Sequence, residues 1–314
     1  MNAQALQETH GSPQSVVTQV EDSFAATVAL RREIHQQPEI GLDLPNTRAL
    51  VLAALEGLPL ALTLHESTSG IAALLTGDKP GPTVLLRGDM DALPLPEESG
   101  VEFGSKLPGQ NHACGHDMHT SMLVQAARIL SERQGSITGR VLFMFQPGEE
   151  GYAGARYMLE EGLLDLPALS DGTPSPITGA FAVHMSTAIP TGMVAMRSGA
   201  FLASSDELNI TVRGAGGHAS EPHRTIDPIP AACEIVQALQ TLVARRLNVF
   251  DSGVVSVTQI NAGSAYNVIP DEAVIKGLIR AVSEETRKRI KEEIERVAFG
   301  VGAAHQMQVD VHIG

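Results

Sequence analysis

The sequence contains no tryptophan, three tyrosines and two cysteines among its 314 residues, and its basic residues are few. Two cysteines, Cys114 and Cys233, cannot build a disulfide framework, which predicts a reducing, cytoplasmic compartment. With 22 basic against 36 acidic residues the net charge is −14, which argues against nucleic acid binding, for which a basic face would be expected. No apolar run reaches the roughly 18 residues of a membrane-spanning helix.

The chain has enough apolar sequence for a large core. Its hydrophobic residues make up 43% of the total, and a length of 314 residues predicts about two domains. The amino-terminal segment, residues 1–13, is polar and has no apolar signal-peptide core, so we expect it to be disordered.

A segment rich in metal-binding side chains spans residues 111–119, where the chain runs Asn-His-Ala-Cys-Gly-His-Asp-Met-His. Thiolate sulfur, imidazole nitrogen and carboxylate oxygen bind divalent ions in proteins, and a compact Cys-Gly-His turn delivers two such atoms together. Cys114 and His116 are therefore the first two candidate ligands. Taken alone, a Cys-x-His pair is a weak signal, since a free cysteine is also used as a small apolar core residue.

Polar side chains follow three runs that have the apolar pattern of buried strands. The strands are predicted over residues 83–86, 141–145 and 180–183, and they lead to Asp89 and Asp91, to Glu149 and Glu150, and to His184. Open α/β sheets bind ligands at the carboxyl ends of their strands, so we expect these side chains to meet in one crevice. Without the neighbouring histidine segment, the two glutamates would indicate only an exposed acidic turn.

The other predicted elements differ between the two halves of the chain. In the first half, apolar periodicity and turn signals predict helices over 15–37, 46–55, 120–132 and 155–161 and a further strand over 70–75. In the second half, the pattern predicts strand, helix, strand, strand, helix and strand over 207–213, 228–247, 253–260, 272–282, 284–303 and 306–311. That order is typical of a ferredoxin-like β-α-β-β-α-β unit.

Five short motifs stand out along the chain: Gly-Asp-Met-Asp-Ala-Leu-Pro at 88–94, His-Ala-Cys-Gly-His-Asp-Met-His at 112–119, Gln-Pro-Gly-Glu-Glu at 146–150, Gly-Gly-His-Ala at 216–219 and Asn-Val-Ile-Pro at 267–270. In this order they resemble the amidohydrolase branch of the aminoacylase and carboxypeptidase metallopeptidases, which includes hippurate hydrolases, N-acyl amino acid amidohydrolases and auxin-conjugate hydrolases. The resemblance implies an α/β fold, with a mixed-sheet co-catalytic metallopeptidase domain at residues 1–198. An inserted ferredoxin-like lid and dimerisation domain follows at residues 199–314, which implies a homodimer.

The resemblance also implies roles for individual residues. The metal ligands, which would hold one or two divalent ions, are Cys114, His116, Glu150 and His184. Thiolate and imidazole favour zinc, and the carboxylates also admit manganese, cobalt or nickel. The catalytic pair is Glu149 and Asp91, because a carboxylate that is not a ligand is suited to take a proton from water and pass it to the leaving amine. The substrate contacts are His218, Asn267 and Arg280, although an ordinary surface charge accounts for Arg280 equally well.

Three residues near the candidate ligands keep open roles. Asp89 stands where related peptidases carry a metal-binding histidine. His112 and His119 are either direct ligands or hydrogen-bonding residues that support the ligands.

The activity that the resemblance implies is metal-dependent hydrolysis of the amide bond of N-acyl amino acids, releasing a carboxylic acid and a free amino acid. The scarcity of aromatic residues favours small acyl groups. Relatives of this kind continue beyond the lid to a last metal-binding histidine, whereas this chain ends at Gly314, so we expect the closing part of the catalytic domain to be absent. Two alternatives are a dipeptidase or carboxypeptidase of the same superfamily, which the Cys-Gly-His segment disfavours, and an inactive truncated chain that serves as a binding or dimerising subunit.

Overall fold

A computed structural model describes residues 15–314 of the protein, as two compact units that divide between Ala188 and Ile189. The segment predicted to be disordered, residues 1–13, lies outside the described residues. The division falls ten residues before the one predicted from the sequence, between residues 198 and 199. Among the described residues, no helix is both long and apolar enough to cross a membrane.

The first unit is built on a five-stranded mixed sheet. Its elements in chain order are α1 (Val16–Gln36), α2 (Pro45–Leu55), β1 (Leu60–Leu64), β2 (Ile71–Thr76), β3 (Lys79–Asp89), α3 (His116–Glu132), β4 (Thr138–Gln146), α4 (Gly154–Glu160) and β5 (Ile177–Ala182). The strands are ordered β1-β2-β4-β3-β5, with β3 parallel to both β4 and β5 and the remaining pairs antiparallel. The carboxyl ends of β3, β4 and β5 therefore lie at one edge of the sheet.

Strand β4 forms the centre of this unit because both of its faces are buried. Phe143 and Phe145 pack on one face with residues of α2 and α3, and Leu142 and Met144 pack on the other face with Met158 of α4. A strand that is buried on both faces needs a nearly continuous apolar run, which residues 141–145 supply. This core fixes the point at which the chain leaves β4 and enters the turn at residues 147–150.

Helix α3 begins at His116, four residues earlier than predicted. The prediction missed its first turn because that turn is polar although it is buried. Gly115 precedes the helix with a φ of +86°, a left-handed conformation that glycine adopts without a steric penalty. His116, Asp117 and His119 form the first turn, and each is at most 3% exposed. The Cys-Gly-His segment therefore runs directly into the helix.

The sequence did not predict β1 or the first residues of β3. Four of the five residues of β1 are apolar, so the strand lacks the alternation of apolar and polar residues that marks a half-buried strand, and most of them are exposed at the edge of the sheet. The sequence Gly-Asp-Lys-Pro-Gly-Pro at 77–82 is a turn signal, but the segment from Lys79 begins β3, and its pairing with β4 is irregular between Lys79 and Thr83. Such an irregularity accommodates Pro80 and Pro82, which cannot donate backbone hydrogen bonds.

The second unit has the predicted ferredoxin-like order. Its elements are β6 (Asp206–Arg213), β7 (Gly217–His218), α5 (Pro228–Arg246), β8 (Gly253–Ala262), β9 (Val268–Ile269), β10 (Glu272–Ala281), α6 (Glu284–Ala304) and β11 (Gln308–Ile313). Four strands form an antiparallel sheet in the order β11-β6-β10-β8, while the short β7 and β9 pair with each other. The apolar stripes of α5 and α6 pack with alternate residues of the sheet in a single core.

A buried carboxylate ties α6 to the start of β6. The side chain of Asp206 has no exposed surface; its Oδ2 accepts a hydrogen bond from Arg287 Nε at 2.8 Å, and its Oδ1 lies 2.7 Å from Lys291 Nζ. The hydrogen bond from Arg287 is the main reason why the pKa of Asp206 is lowered to about 2. Ionised Asp206 therefore stabilises the second unit at neutral pH.

Candidate metal centre

The candidate ligands come together at the carboxyl edge of the parallel strands in the first unit. Strand β3 supplies Asp89 at its end and Asp91 follows it, the turn after β4 supplies Glu149 and Glu150, and the segment after β5 supplies His184. Cys114 lies just before α3, and His116 is the first residue of that helix. Three groups of side chains here have ligand atoms within 4.8 Å of one another, and His116 belongs to all three groups. The structure thus brings together the residues for which the sequence predicted a common crevice.

His116 and His184 are oriented alike, each by a backbone carbonyl group. His116 Nδ1 lies 2.8 Å from the Asp91 carbonyl oxygen, and His184 Nδ1 lies 2.6 Å from the Met185 carbonyl oxygen. A carbonyl oxygen only accepts, so each Nδ1 carries a hydrogen and donates it. The Nε2 atoms are then the ones available as ligands, which is the usual arrangement of metal-binding histidines.

The donor atoms of Cys114, His116 and His184 fit a divalent metal site. A tetrahedral zinc ion, with bonds of about 2.0 Å to nitrogen and 2.3 Å to sulfur, separates two such donors by about 3.5 Å. Cys114 Sγ and His184 Nε2 are 3.4 Å apart. His116 Nε2 is buried and has no hydrogen-bond partner among residues 15–314, a condition that costs free energy unless a ligand satisfies the atom. Both observations favour a bound cation.

The turn after β4 places two adjacent carboxylates in different surroundings. Glu150 Oε1 lies 3.9 Å from His116 Nε2, close enough for both to bind one ion. Glu149 is exposed at the surface, yet partial burial of its carboxyl group and the charges of Glu150 and Asp89 raise its pKa. A carboxylate with a raised pKa next to a ligand site is suited to accept and return a proton.

Asp91 holds this turn from the buried side. Its Oδ1 and Oδ2 accept hydrogen bonds from the backbone amides of Glu149 and Glu150 at 2.9 and 3.0 Å. The residue is 1% exposed, and its Oδ1 also lies 3.5 Å from His116 Nδ1. Asp91 therefore connects the acidic turn to the central histidine.

A second buried carboxylate, Asp89, lies near the other nitrogen of His116. Asp89 Oδ2 is 3.5 Å from His116 Nε2 and 2.7 Å from Arg87 Nη1. Burial acts to raise the pKa of Asp89, but a hydrogen bond from His119 and the charges of His116 and Arg87 lower it to about 2. Burial likewise acts to lower the pKa of His116, but the neighbouring groups of Asp91, Cys114 and Asp89 raise it to about 11. The pocket thus favours a positive charge at His116 Nε2, from a proton or from a metal ion.

Arg87 is a member of this site that the sequence did not identify. Its Nε donates to Gln146 Oε1 at 2.9 Å, so it joins the end of β3 to the end of β4 in addition to pairing with Asp89. The one available signal was its place directly before the Gly-Asp-Met-Asp motif.

Of the two remaining histidines of the segment, His119 belongs to one of the three groups, with Asp89 and His116, whereas His112 belongs to none. His119 uses both of its ring nitrogens, because Nδ1 lies 2.6 Å from Asp89 Oδ1 and Nε2 lies 2.9 Å from the Met185 amide nitrogen. His112 is 4% exposed, and neither of its nitrogens has a hydrogen-bond partner within the described part of the chain. Burial lowers the pKa of His112 to about 4, which makes it a neutral buried residue. Of the two roles left open for His119, the geometry favours support of the ligands.

The three predicted substrate contacts lie in the second unit but not in one place. His218 in β7 pairs with Val268 in β9, and Asn267 directly precedes Val268. Arg280 lies near the far end of β10, eight residues beyond Glu272 and so about 26 Å further along the strand. Within one chain, His218 and Asn267 are therefore neighbours, whereas Arg280 is remote from both.

The hydrogen bonds of His218 leave it as a donor. Its Nδ1 accepts from the Ser220 backbone amide at 3.2 Å, and the Ser220 hydroxyl lies 2.7 Å from the same nitrogen. Because a backbone amide only donates, the hydrogen of the neutral ring lies on Nε2. His218 is exposed, so this N–H group is accessible to an oxygen of a bound molecule.

The chain is similar in sequence and in structure to known proteins. N-acetylcysteine deacetylase of Bacillus subtilis strain 168 is 36% identical over 284 residues, which are 90% of this chain and 72% of that protein. IAA-amino acid hydrolase ILR1-like 2 of Arabidopsis thaliana is 40% identical over 292 residues, which are 92% of this chain and 63% of that protein. Among solved structures, the Bacillus subtilis YXEP protein, described as a dinuclear metal-binding peptidase of the M20 family, matches with a TM-score of 0.76 and 32% identity over 93% of this chain and 74% of that one.

The family relationship extends over most of the chain. The pattern of peptidase family M20/M25/M40 matches residues 85–312, a range that includes every candidate ligand described above. The match covers well over half of the sequence and both compact units contribute to it. The chain belongs to peptidase family M20/M25/M40.

Proposed function

We propose that the protein catalyses metal-dependent hydrolysis of the amide bond of N-acyl amino acids, releasing a carboxylic acid and a free amino acid. The observation that carries this proposal is the arrangement around His116, where Cys114 and His184 complete one group of ligand atoms and Glu149 and Glu150 complete another. The names of two relatives, a deacetylase of N-acetylcysteine and a hydrolase of IAA-amino acids, support the same reaction class.

The residues that we assign to the metal are Cys114, His116, Glu150 and His184, for one or two divalent ions. The mixture of sulfur, nitrogen and oxygen donors suits zinc or manganese, with cobalt or nickel as alternatives. When bound, such an ion polarises the amide carbonyl group and lowers the pKa of water toward 7. The chain contributes orientation, since backbone carbonyls hold His116 and His184 with Nε2 available.

Glu149 is the proposed general base and acid. It takes the proton from the attacking water and then gives it to the nitrogen of the leaving amino acid, and its raised pKa favours both transfers near neutral pH. Asp91, the other member of the proposed catalytic pair, acts by position, because it holds the backbone amides of Glu149 and Glu150.

In this proposal the first unit carries the chemistry, and the second unit is a lid and dimerisation domain that binds the carboxylate of the substrate. His218 offers an N–H donor, Asn267 lies next to it, and Arg280 offers a fork that binds a carboxylate through two hydrogen bonds. Because Arg280 lies at the other end of β10, a substrate contacts all three side chains only if two copies of the chain contribute. The proposal therefore includes a homodimer.

Two narrower proposals concern the acyl group and the compartment. The chain has no tryptophan and three tyrosines to stack against an aromatic acyl group, which favours small acyl groups such as acetyl. Cys114 and Cys233 are both free thiols, which suits a reducing cytoplasm.

The test is amine release from N-acetyl, N-benzoyl and indole-acetyl amino acids and from dipeptides, with the purified chain in zinc or manganese and after chelation. We expect turnover of N-acetyl amino acids that chelation abolishes. Glu149→Gln should reduce kcat by about 100- to 10,000-fold, the usual contribution of a general base, while the metal stays bound. Glu160→Gln, at an exposed glutamate of α4, is the matched control and should keep wild-type turnover.

Other outcomes would replace the proposal with one of its alternatives. Turnover confined to dipeptides would identify a dipeptidase or carboxypeptidase. Metal binding without turnover of any substrate in the panel would refute the hydrolase and would leave a binding or dimerising subunit.

A further inference from the structure

His119 joins two parts of the first unit through its two ring nitrogens. Its Nε2 accepts a hydrogen bond from the Met185 amide at 2.9 Å, and its Nδ1 donates to Asp89 Oδ1 at 2.6 Å. A backbone amide only donates, so Nε2 is unprotonated and the ring hydrogen lies on Nδ1. Asp89, which is 1% exposed, therefore stabilises the tautomer in which Nε2 is an acceptor.

Met185, the residue that His119 holds, in turn orients His184. The Met185 carbonyl oxygen accepts from His184 Nδ1 at 2.6 Å, which leaves His184 Nε2 facing Cys114 Sγ at 3.4 Å. The rings of His119 and His184 also lie against each other, with centroids 4.6 Å apart. The backbone of Met185 is thus bonded at its amide by one histidine and at its carbonyl by the other.

The segment that carries His184 has little other support. Strand β5, which ends two residues before His184, lies at the edge of the sheet and pairs with β3 alone among the described strands. Five of its six residues are exposed. Exposed segments with few buried contacts open locally at low free-energy cost. The hydrogen bond that the Met185 amide donates to His119 of buried α3 therefore restrains a segment that has few buried contacts of its own.

We propose that His119, with its tautomer set by Asp89, is a positioning residue for His184. It fixes the Met185 backbone so that His184 Nε2 stays directed toward Cys114. The inference rests on the proposed function, because it concerns the metal site of the same hydrolase. Loss of the Nε2 acceptor should weaken metal binding even though no ligand has been removed.

Two substitutions separate the two hydrogen bonds of His119. In His119→Asn, the amide nitrogen takes the place of Nδ1 and still donates to Asp89, but the acceptor for Met185 is lost. In His119→Gln, the amide oxygen reaches the place of Nε2 and accepts from Met185, but the donor to Asp89 is lost. Both variants lose the ring and its contact with His184, and they differ in which of the two hydrogen bonds is kept: the donor to Asp89 in the Asn variant, the acceptor for Met185 in the Gln variant.

The probe is Co²⁺ titrated into the purified full chain, followed by thiolate-to-cobalt absorption in the near ultraviolet and by the visible d–d absorption. We expect His119→Asn to bind Co²⁺ about 10- to 100-fold more weakly than wild type, with an altered d–d spectrum, because loss of a group that orients a ligand has an effect of this size. His119→Gln should bind Co²⁺ nearly as tightly as wild type. His65→Asn, at a histidine 3% exposed and bonded to Glu161, is the control for loss of a buried ring and should keep wild-type affinity.

Thermal unfolding of both variants distinguishes positioning from general damage. Similar losses of stability in the Asn and Gln variants, with Co²⁺ affinity lost in the Asn variant alone, would support the inference. Unchanged affinity in His119→Asn would overturn it, and so would equal loss of affinity in the two variants. Absence of thiolate-to-cobalt absorption in the wild type would instead refute the proposed metal site, so the two failures are distinguishable.

Discussion

Asp91→Asn is the substitution that tests most directly how the acidic turn is held. The two oxygens of Asp91 accept from the backbone amides of Glu149 and Glu150 at 2.9 and 3.0 Å, in a position that is 1% exposed. Asparagine has nearly the same shape but only one acceptor oxygen. In the variant, one of the two backbone N–H groups would therefore face the NH₂ group of the asparagine.

The magnitude of the effect follows from these two bonds. A hydrogen bond to a charged group contributes about 1.5–3 kcal/mol, and the variant loses one such bond and the charge from the other, so we expect the turn to be destabilised by about 2–3 kcal/mol. A displacement of about 1 Å of a catalytic group reduces the rate by about 100-fold. We therefore expect kcat/KM to fall by about 100-fold or more, because Glu149 moves with the turn.

The assay combines turnover of an N-acetyl amino acid with hydrogen exchange of peptides covering residues 147–153. Asp91→Asn should exchange faster in this segment and retain Co²⁺ absorption from Cys114. Asp171→Asn is a matched control, since Asp171 also accepts from a backbone amide, that of Thr173 at 2.8 Å, but lies in an exposed loop. Wild-type turnover together with unchanged exchange in Asp91→Asn would refute the reasoning.

Three other positions give predictions of their own. Gly115→Ala, at a φ of +86°, should lose about 1–2 kcal/mol in calorimetry and also weaken Co²⁺ binding, whereas Gly57→Ala, at +79° in open space, should lose stability alone. Cys114→Ser should abolish thiolate-to-cobalt absorption, and Cys233→Ser should keep it. Because the pKa of Asp206 is lowered to about 2, its stabilisation is present above its unfolded pKa near 4 and is lost as the pH falls toward 2. Asp206→Asn should thus be about 2 kcal/mol less stable than wild type in urea at pH 5, and the difference should shrink toward pH 2.

Each of these predictions has an outcome that contradicts it. Unchanged Co²⁺ affinity in Gly115→Ala would mean that the left-handed turn does not position the ligand segment. Retained absorption in Cys114→Ser would remove the thiolate from the site. A stability difference for Asp206→Asn that stays constant from pH 5 to pH 2 would show that the charge of the carboxylate contributes nothing.

The sequence predicted the architecture of the site because strand ends are visible in it. The apolar run at 141–145 and the polar residues after it correspond to a buried strand and the turn that follows. The runs at 83–86 and 180–183 also belong to strands, β3 and β5, but β5 is mostly exposed, so the expectation that it is buried was wrong. Parallel pairing then places the three ends at one edge. The ferredoxin-like order of the second unit was predicted for a similar reason, since its helices and most of its strands have regular apolar periodicity.

The elements that were missed are those whose burial does not follow hydrophobicity. The first turn of α3 is polar and yet buried, because its side chains have hydrogen-bond partners within the protein. These partners are the Asp91 carbonyl for His116, His35 for Asp117 and Asp89 for His119. Strand β1 is apolar and yet mostly exposed, because it lies at the edge of the sheet. Apolar periodicity therefore predicts a loop for the first turn of α3 and does not identify strand β1.

The roles of the histidines show a different limit of sequence reasoning. His112, His116 and His119 occur within eight residues, and nothing in their order separates a ligand from a supporting residue. The backbone group that each ring meets makes the difference: a carbonyl of Asp91 leaves Nε2 of His116 available, whereas an amide of Met185 occupies Nε2 of His119. Neither ring nitrogen of His112 has a hydrogen-bond partner among the described residues, and burial keeps this histidine neutral. These partners lie up to 66 residues away, so the assignment of roles follows from the fold, and replacing the acceptor of His119 while keeping its donor is the direct way to test it.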